Sequence, residues 1–191
     1  MKQTFAAIKQ RATILACIVG SMWAVWAVSA ALPFLHLTQY GVVPRSARGL
    51  IGIFLAPWLH VSLAHILANT GALLILGWLC MWPTIRDFYR ATVAGMLGAG
   101  AAAWLLGAPH SVHIGASGLV FGYIAFLIAR GWYTHSPLSI VVALLVALSY
   151  GASMLLGVLP LTPGISCQSH LGGAIGGFFA SRLTAARTRS T

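Results

Sequence analysis

The chain has 191 residues, of which 59% are hydrophobic and only 6% charged, and its formal net charge is +10. Soluble domains carry about 25% charged residues, so this composition excludes an ordinary soluble globule and points to helices that face lipid or one another. The positive charge comes from eleven Lys and Arg against a single acid, Asp87. The basic residues are scattered and accompany no motif that reads bases, so they indicate loops beside anionic lipid rather than a nucleic-acid surface.

A spanning helix needs about 20 apolar residues, so the length suits about six spans in one domain covering residues 1–191. Lys2, Lys9 and Arg11 precede an apolar run at about 12–35, too long for a signal-peptide core of about 7–15 residues and therefore span one. Pro44, Arg45 and Arg48 interrupt the pattern. Gly49 to Trp58 is apolar but too short to span; it reads as an interfacial loop closed by Pro57, with Trp58 and His60 as headgroup-level anchors. Span two is expected at about 62–82, followed by Pro83 and a charged turn with Arg86, Asp87 and Arg90. Span three, about 91–106, is so rich in Ala and Gly that it must pack closely on its neighbours. A loop carries His110 and His113; span four follows at about 115–130, then a turn over 131–136 and span five at about 137–156. Pro160-Leu161-Thr162-Pro163-Gly164 reads as a rigid loop before span six, about 169–183, and a basic tail with Arg187 and Arg189.

Six spans place both termini on one side. That side collects Lys2, Lys9, Arg11, Arg86, Arg90, Arg130, Arg182, Arg187 and Arg189, against Arg45 and Arg48 on the other. The positive-inside rule then predicts cytoplasmic termini. Spans two, four and six would all begin at the outer face, and their first turns carry His65 and Asn69, Ser117, and His170. Polar groups at membrane depth are costly and mark function by default.

Ser117 and His170 suggest a nucleophile and the base that activates it. The acid that usually orients such a histidine has no candidate, because Asp87 falls on the opposite side, so the expectation is a Ser–His dyad. His65 and Asn69, four residues apart on one helical face, could donate to an oxyanion, as could the Ser117 amide at a helix start. Gly118 and Gly122 on span four, and Gly173 and Gly177 on the His170 face of span six, offer the smooth surfaces that let two helices approach. From Ser117 to Arg130 is about 20 Å at ~1.5 Å per residue. With Arg130 at the inner surface, Ser117 would lie below the outer one, in a water-filled cavity bordered by loops 107–114 and 157–168.

Cys17, Cys80 and Cys167 lack paired spacing, and the histidines lack an acidic co-ligand, so neither a disulfide framework nor a metal site is indicated. His60 reads as a structural loop contact, and His36, His110, His113 and His135 as interfacial residues. A small transporter would fit six spans, but no intramembrane acid lines a pathway.

The segments His65-Ile-Leu-Ala-Asn69, Gly115-Ala-Ser117-Gly118 and His170-Leu-Gly-Gly173-Ala-Ile-Gly-Gly177 resemble, in order and placement, the rhomboid intramembrane serine proteases. The resemblance covers about residues 45–183. It implies an all-α membrane protein, a six-transmembrane-helix bundle, that cleaves transmembrane protein substrates without metal or cofactor. It also implies a multi-pass protein of a bacterial plasma membrane in contact with lipid. Ser117 would be the nucleophile, His170 the base, and Asn69, His65 and the Ser117 amide the oxyanion donors; Gly115 would join Gly118, Gly122, Gly173 and Gly177 in helix packing. Two departures stand out: Phe121 replaces the tyrosine that many members stack on the catalytic histidine, and Arg48-Gly49-Leu50 stands where a Trp-Arg pair is common. An inactive relative that binds membrane clients would be expected to lose Ser117 or His170, and both are retained; a protease that trims C-terminal anchors of surface proteins would also fit a chain of this size.

Overall fold

The computed structural model describes residues 2–161 and 164–188. Seven α-helices carry the chain: α1 (Lys2–Ala31), α2 (Ala47–Leu55), α3 (Leu63–Cys80), α4 (Ile85–Leu106), α5 (Ser117–Thr134), α6 (Pro137–Gly157) and α7 (Cys167–Thr188). Among the described residues there is no strand, only an isolated antiparallel bridge between Val42 and His113. Thr4–Ala31, Leu63–Cys80 and Pro137–Gly157 are long and apolar enough to cross a membrane. Thr162 and Pro163 of the expected rigid loop, and Arg189 of the tail, lie outside the described residues.

α5 is the central helix. Its residues from Gly118 to Leu127 are all buried, and it packs on α3, α4, α6 and α7. Tyr123, Phe126, Ile124 and Leu127 meet Ile66, Leu73 and Leu76 of α3 and Phe88 of α4 in one apolar cluster. Tyr123 brings a hydroxyl into that cluster, and Thr92 satisfies it at 2.7 Å. α1 lies outside, against α3, with the Trp23 indole donating to Thr70 at 3.0 Å. α6 is mostly exposed, with Leu144, Leu145, Leu148 and Leu155 all outward, as a lipid-facing helix requires.

The closest helix–helix approaches involve α7. A methyl placed on Gly173 would strike the Gly118 carbonyl, and one on Gly177 the Gly122 carbonyl, both on α5. One on Gly172 would strike the Gly98 carbonyl, and one on Gly176 the Ala94 carbonyl, both on α4. Backbone therefore lies on backbone, which side chains would prevent; this is the small-residue packing of membrane helices.

Several sequence expectations need correction. Span one ends at Ala31 rather than near residue 35, because Pro33 cannot donate a helical hydrogen bond and restricts Leu32 to a non-helical conformation. The apolar stretch after Arg48 is not a loop but α2, started by Ser46, whose side chain accepts from the Gly49 amide at 3.0 Å. Pro57 is tolerated because the chain there is a single 3₁₀ turn, Ala56–Trp58. Arg86, Asp87 and Arg90 form no separate turn; they open α4, where an acid in the first turn favours the helix dipole. α5 runs on to Thr134 and shortens the expected turn to His135 and Ser136. Arg130 is not exposed: it is buried, and its guanidinium donates to Leu79 O at 3.4 Å, in the last turn of α3, and to the Trp82 carbonyl just beyond it. The whole of α5, from Ser117 to Thr134, spans about 26 Å at ~1.5 Å per residue.

Gly173→Ala is expected to lower the detergent melting temperature, since overpacking costs about 1–3 kcal/mol. Gly20→Ala, whose added methyl meets nothing within 4 Å, is expected to leave it unchanged or raise it. Equal melting of the two variants would refute the tight α5–α7 seam.

Candidate active site

Ser117 is the first residue of α5. The preceding Ala116 provides no side-chain cap, so the amides of the first turn have no partner within the helix. Gly115, just before, has φ +104°, a conformation that side chains avoid, and a methyl there would lie 2.6 Å from the His65 ring. Gly115 is thus not a helix-packing residue as expected; it turns the chain into α5 and lets the His65 imidazole lie close to the backbone. Gly118 and Gly122, by contrast, do pack, against Ala99 and Gly95 of α4 as well as against α7.

His170 lies one turn inside α7 and is 6% exposed. Its Nε2 is 2.8 Å from Ser117 Oγ, and its Nδ1 is 2.9 Å from the Gly157 carbonyl at the end of α6. A carbonyl only accepts, so Nδ1 carries the hydrogen. Nε2 then presents its lone pair, and the Ser117 hydroxyl donates to it. The Phe121 ring, one turn along α5 from Ser117, stacks on the imidazole with centroids 3.9 Å apart and planes 12° from parallel. The missing tyrosine hydroxyl therefore takes nothing from the stacking itself.

Asn69 and His65 face the same space from α3, whose N-terminus is capped by Ser62. Asn69 is 5% exposed, and its Nδ2 has no partner among the described residues. A buried amide donor left so is costly unless something fills its bond. His65 is held edge-on by His60, centroids 4.9 Å apart. His60 itself is buried and bonds the Trp58 carbonyl through Nδ1 at 3.4 Å, not a headgroup. Trp58 likewise turns inward, its indole donating to Ser21 at 2.9 Å. Burial, with the neighbouring His65 ring, pushes the His60 imidazole down to about 4, so it stays neutral.

Ser117, His170, His65 and Asn69 line a cavity of about 1120 Å³, as do residues of the loops after α4 and α6. The cavity is walled by both polar and apolar groups, including Gln39, His113 and Ser166. His113, expected at the interface, is tied down on both ring nitrogens, to Ser111 at 2.9 Å and Ser166 at 2.7 Å. Its pairing could not be seen from sequence, because Ser166 is 53 residues away. Gly157 was missed as well: a backbone acceptor has no signature in residue type. Among the described residues no cluster of three His, Cys, Asp or Glu could hold a metal ion.

A helical bundle of apolar, glycine-seamed helices with a part-buried Ser–His pair defines a class of membrane protein. A family model described as Rhomboid domain matches residues 47–187. Uncharacterized proteins of Mycobacterium tuberculosis and Mycobacterium bovis are 39% identical over 162 residues, covering 81% of this chain and 67% of each relative. One of Mycobacterium leprae is 39% identical over 148 residues, covering 73% of this chain and 58% of that protein. The chain belongs to the rhomboid family and is an integral membrane protein.

Gly115→Ala should force the backbone out of its positive φ and displace His65, at a cost of about 1–3 kcal/mol. A melting temperature several degrees below wild type is the expected reading; an unchanged one would mean that the turn before α5 tolerates a side chain.

Proposed function

We propose that this protein is an intramembrane serine endopeptidase that cleaves transmembrane segments of other membrane proteins through a Ser117–His170 dyad. One observation carries the reading: the 2.8 Å contact of Ser117 Oγ with His170 Nε2, in a ring whose other nitrogen is held by Gly157 O at 2.9 Å. The Gly157 carbonyl does for the imidazole what a carboxylate does in a triad. It fixes the tautomer and orientation, and it stabilises the cation that forms when His170 takes the serine proton.

Ser117 Oγ then attacks the scissile carbonyl as its proton passes to His170 Nε2. The tetrahedral oxyanion has three donors nearby: the Ser117 amide, His65, and Asn69, whose Nδ2 has no acceptor among the described residues. Each such donor is worth about 3–4 kcal/mol in the transition state. His170 returns its proton to the leaving amine, and the acyl-enzyme is hydrolysed by water from the cavity with His170 again as base. The residues at hand need no metal or cofactor for these steps.

Six spans are the natural reading of α1, α3, α4, α5, α6 and α7, with α2 lying at the interface. Basic residues then favour cytoplasmic termini, and the site opens toward the opposite, outer side of a bacterial plasma membrane. Substrates would enter from the bilayer past apolar α6.

The test is labelling of the purified protein in detergent with a fluorophosphonate. Wild type should label, and Ser117→Ala and His170→Ala should not while remaining folded. A folded wild type that takes no label sinks the proposal and favours a client-binding role. Asn69→Ala is expected to slow turnover of a transmembrane substrate by about 100-fold or more while keeping its melting temperature; loss of folding instead would make Asn69 structural.

A further inference from the structure

His113 lines the cavity with His65 and His170, and nothing in the reaction above uses it. Its backbone pairs with Val42 through both N–H and C=O, each at 2.9 Å, which fixes the loop before α5 against the chain before α2. Its ring closes on Gly107, where an added methyl would lie 2.5 Å from Nε2. The Ser111 hydroxyl donates to the Ala108 carbonyl at 2.7 Å, so it has no hydrogen left for the ring, and His113 Nε2–H donates to Ser111 Oγ. The opposite nitrogen bonds Ser166 Oγ across the cavity at 2.7 Å.

Ser166 is not an arbitrary partner. It immediately precedes α7, and its Oγ accepts from the Ser169 amide at 3.2 Å, lies 2.9 Å from Ser169 Oγ, and gives its own hydrogen to His113 Nδ1. Its carbonyl accepts from the His170 amide at 3.1 Å. Ser166 therefore acts as the N-cap of the helix that carries His170, and His113 holds that cap from the α4–α5 loop. That same loop leads within four residues to Ser117. The two halves of the dyad thus hang from one ring: Ser117 by the backbone that follows His113, and His170 by the cap that His113 grips.

We propose that His113 is a positioning residue for the dyad, joining the start of α5 to the cap of α7 so that His170 Nε2 meets Ser117 Oγ. The inference rests on the proteolytic reading for its kinetic consequence but not for its structural one. A shift of about 1 Å in reacting groups can cost about 100-fold in rate, so loosening a cap one turn from His170 is enough to matter.

The experiment uses the full chain in detergent as wild type, His113→Ala and His113→Gln, with two readouts. Hydrogen exchange reports the amides of residues 167–171, and fluorophosphonate saturation kinetics separate the maximal labelling rate from the half-saturating concentration. The expected result for His113→Ala is about tenfold faster exchange over 167–171 and a maximal labelling rate about tenfold lower, at unchanged half-saturation and full labelled amplitude. His113→Gln, which can both donate and accept, should recover most of each. Unchanged exchange in His113→Ala overturns the proposal. So does a loss of labelled amplitude with the maximal rate intact, which would mean partial unfolding. A wild type that takes no label overturns the proteolytic reading alone, and the exchange comparison still decides whether His113 holds the cap.

Discussion

The structure depends on the bare backbone of α7. A serine on one helix and a histidine on another can share a hydrogen bond only if the helix axes come unusually close. Gly173 and Gly177 put α7 directly on the carbonyls of α5, while Gly172 and Gly176 do the same toward α4. Lipid tails are as apolar as leucine, so no hydrophobic force drives these helices together once they are in a bilayer; packing contact must do it. The glycine seam therefore performs two jobs with one feature: it supplies the contact that associates the helices, and it sets the separation at which Ser117 and His170 meet. Phe121 and Gly157 then determine the ring's plane and its rotation, from a second face and a third helix.

Much of this was legible in the sequence because membranes simplify the code. Long apolar runs gave the helices, and the parity of spans grouped His65, Asn69, Ser117 and His170 at one end of the bundle without any knowledge of contacts. Errors fell where one residue type has two physical uses. An arginine after an apolar run reads as exposed, yet a guanidinium can be buried if carbonyls receive it, and those of Leu79 and Trp82 at the end of α3 do so for Arg130. The stretch after Arg48 reads as a loop because it is too short to span, but length alone does not forbid a helix capped by Ser46. Gly115 was grouped with the seam glycines because spacing does not distinguish a glycine needed for φ from one needed for contact. Gly157 and the Ser111–His113–Ser166 bridge were invisible for a different reason: they rest on a backbone atom and on partners far apart in the chain.

A single acid serves the whole chain, and it is used away from Ser117 and His170: Asp87 is buried and paired with Arg90 at 3.3 Å. Other polar side chains turn to carbonyl oxygens at or beyond the ends of helices. Arg130 donates to Leu79 O and Trp82 O, Arg45 to Leu105 O at 3.0 Å, Arg11 to Pro83 O at 3.2 Å, and His170 to Gly157 O. The last turn of a helix leaves its carbonyls without intrahelical donors and carries about half a negative charge. Such an end is a fixed acceptor that needs no carboxylate desolvated beside it. In an interior where a buried carboxylate would itself tend to take up a proton, a helix end is the more dependable partner for an imidazole that, in the proposed reaction, becomes cationic and then neutral. In the proposed dyad the C-terminus of α6 thus stands where a triad acid would, and it links the orientation of His170 to the position of the largely exposed α6.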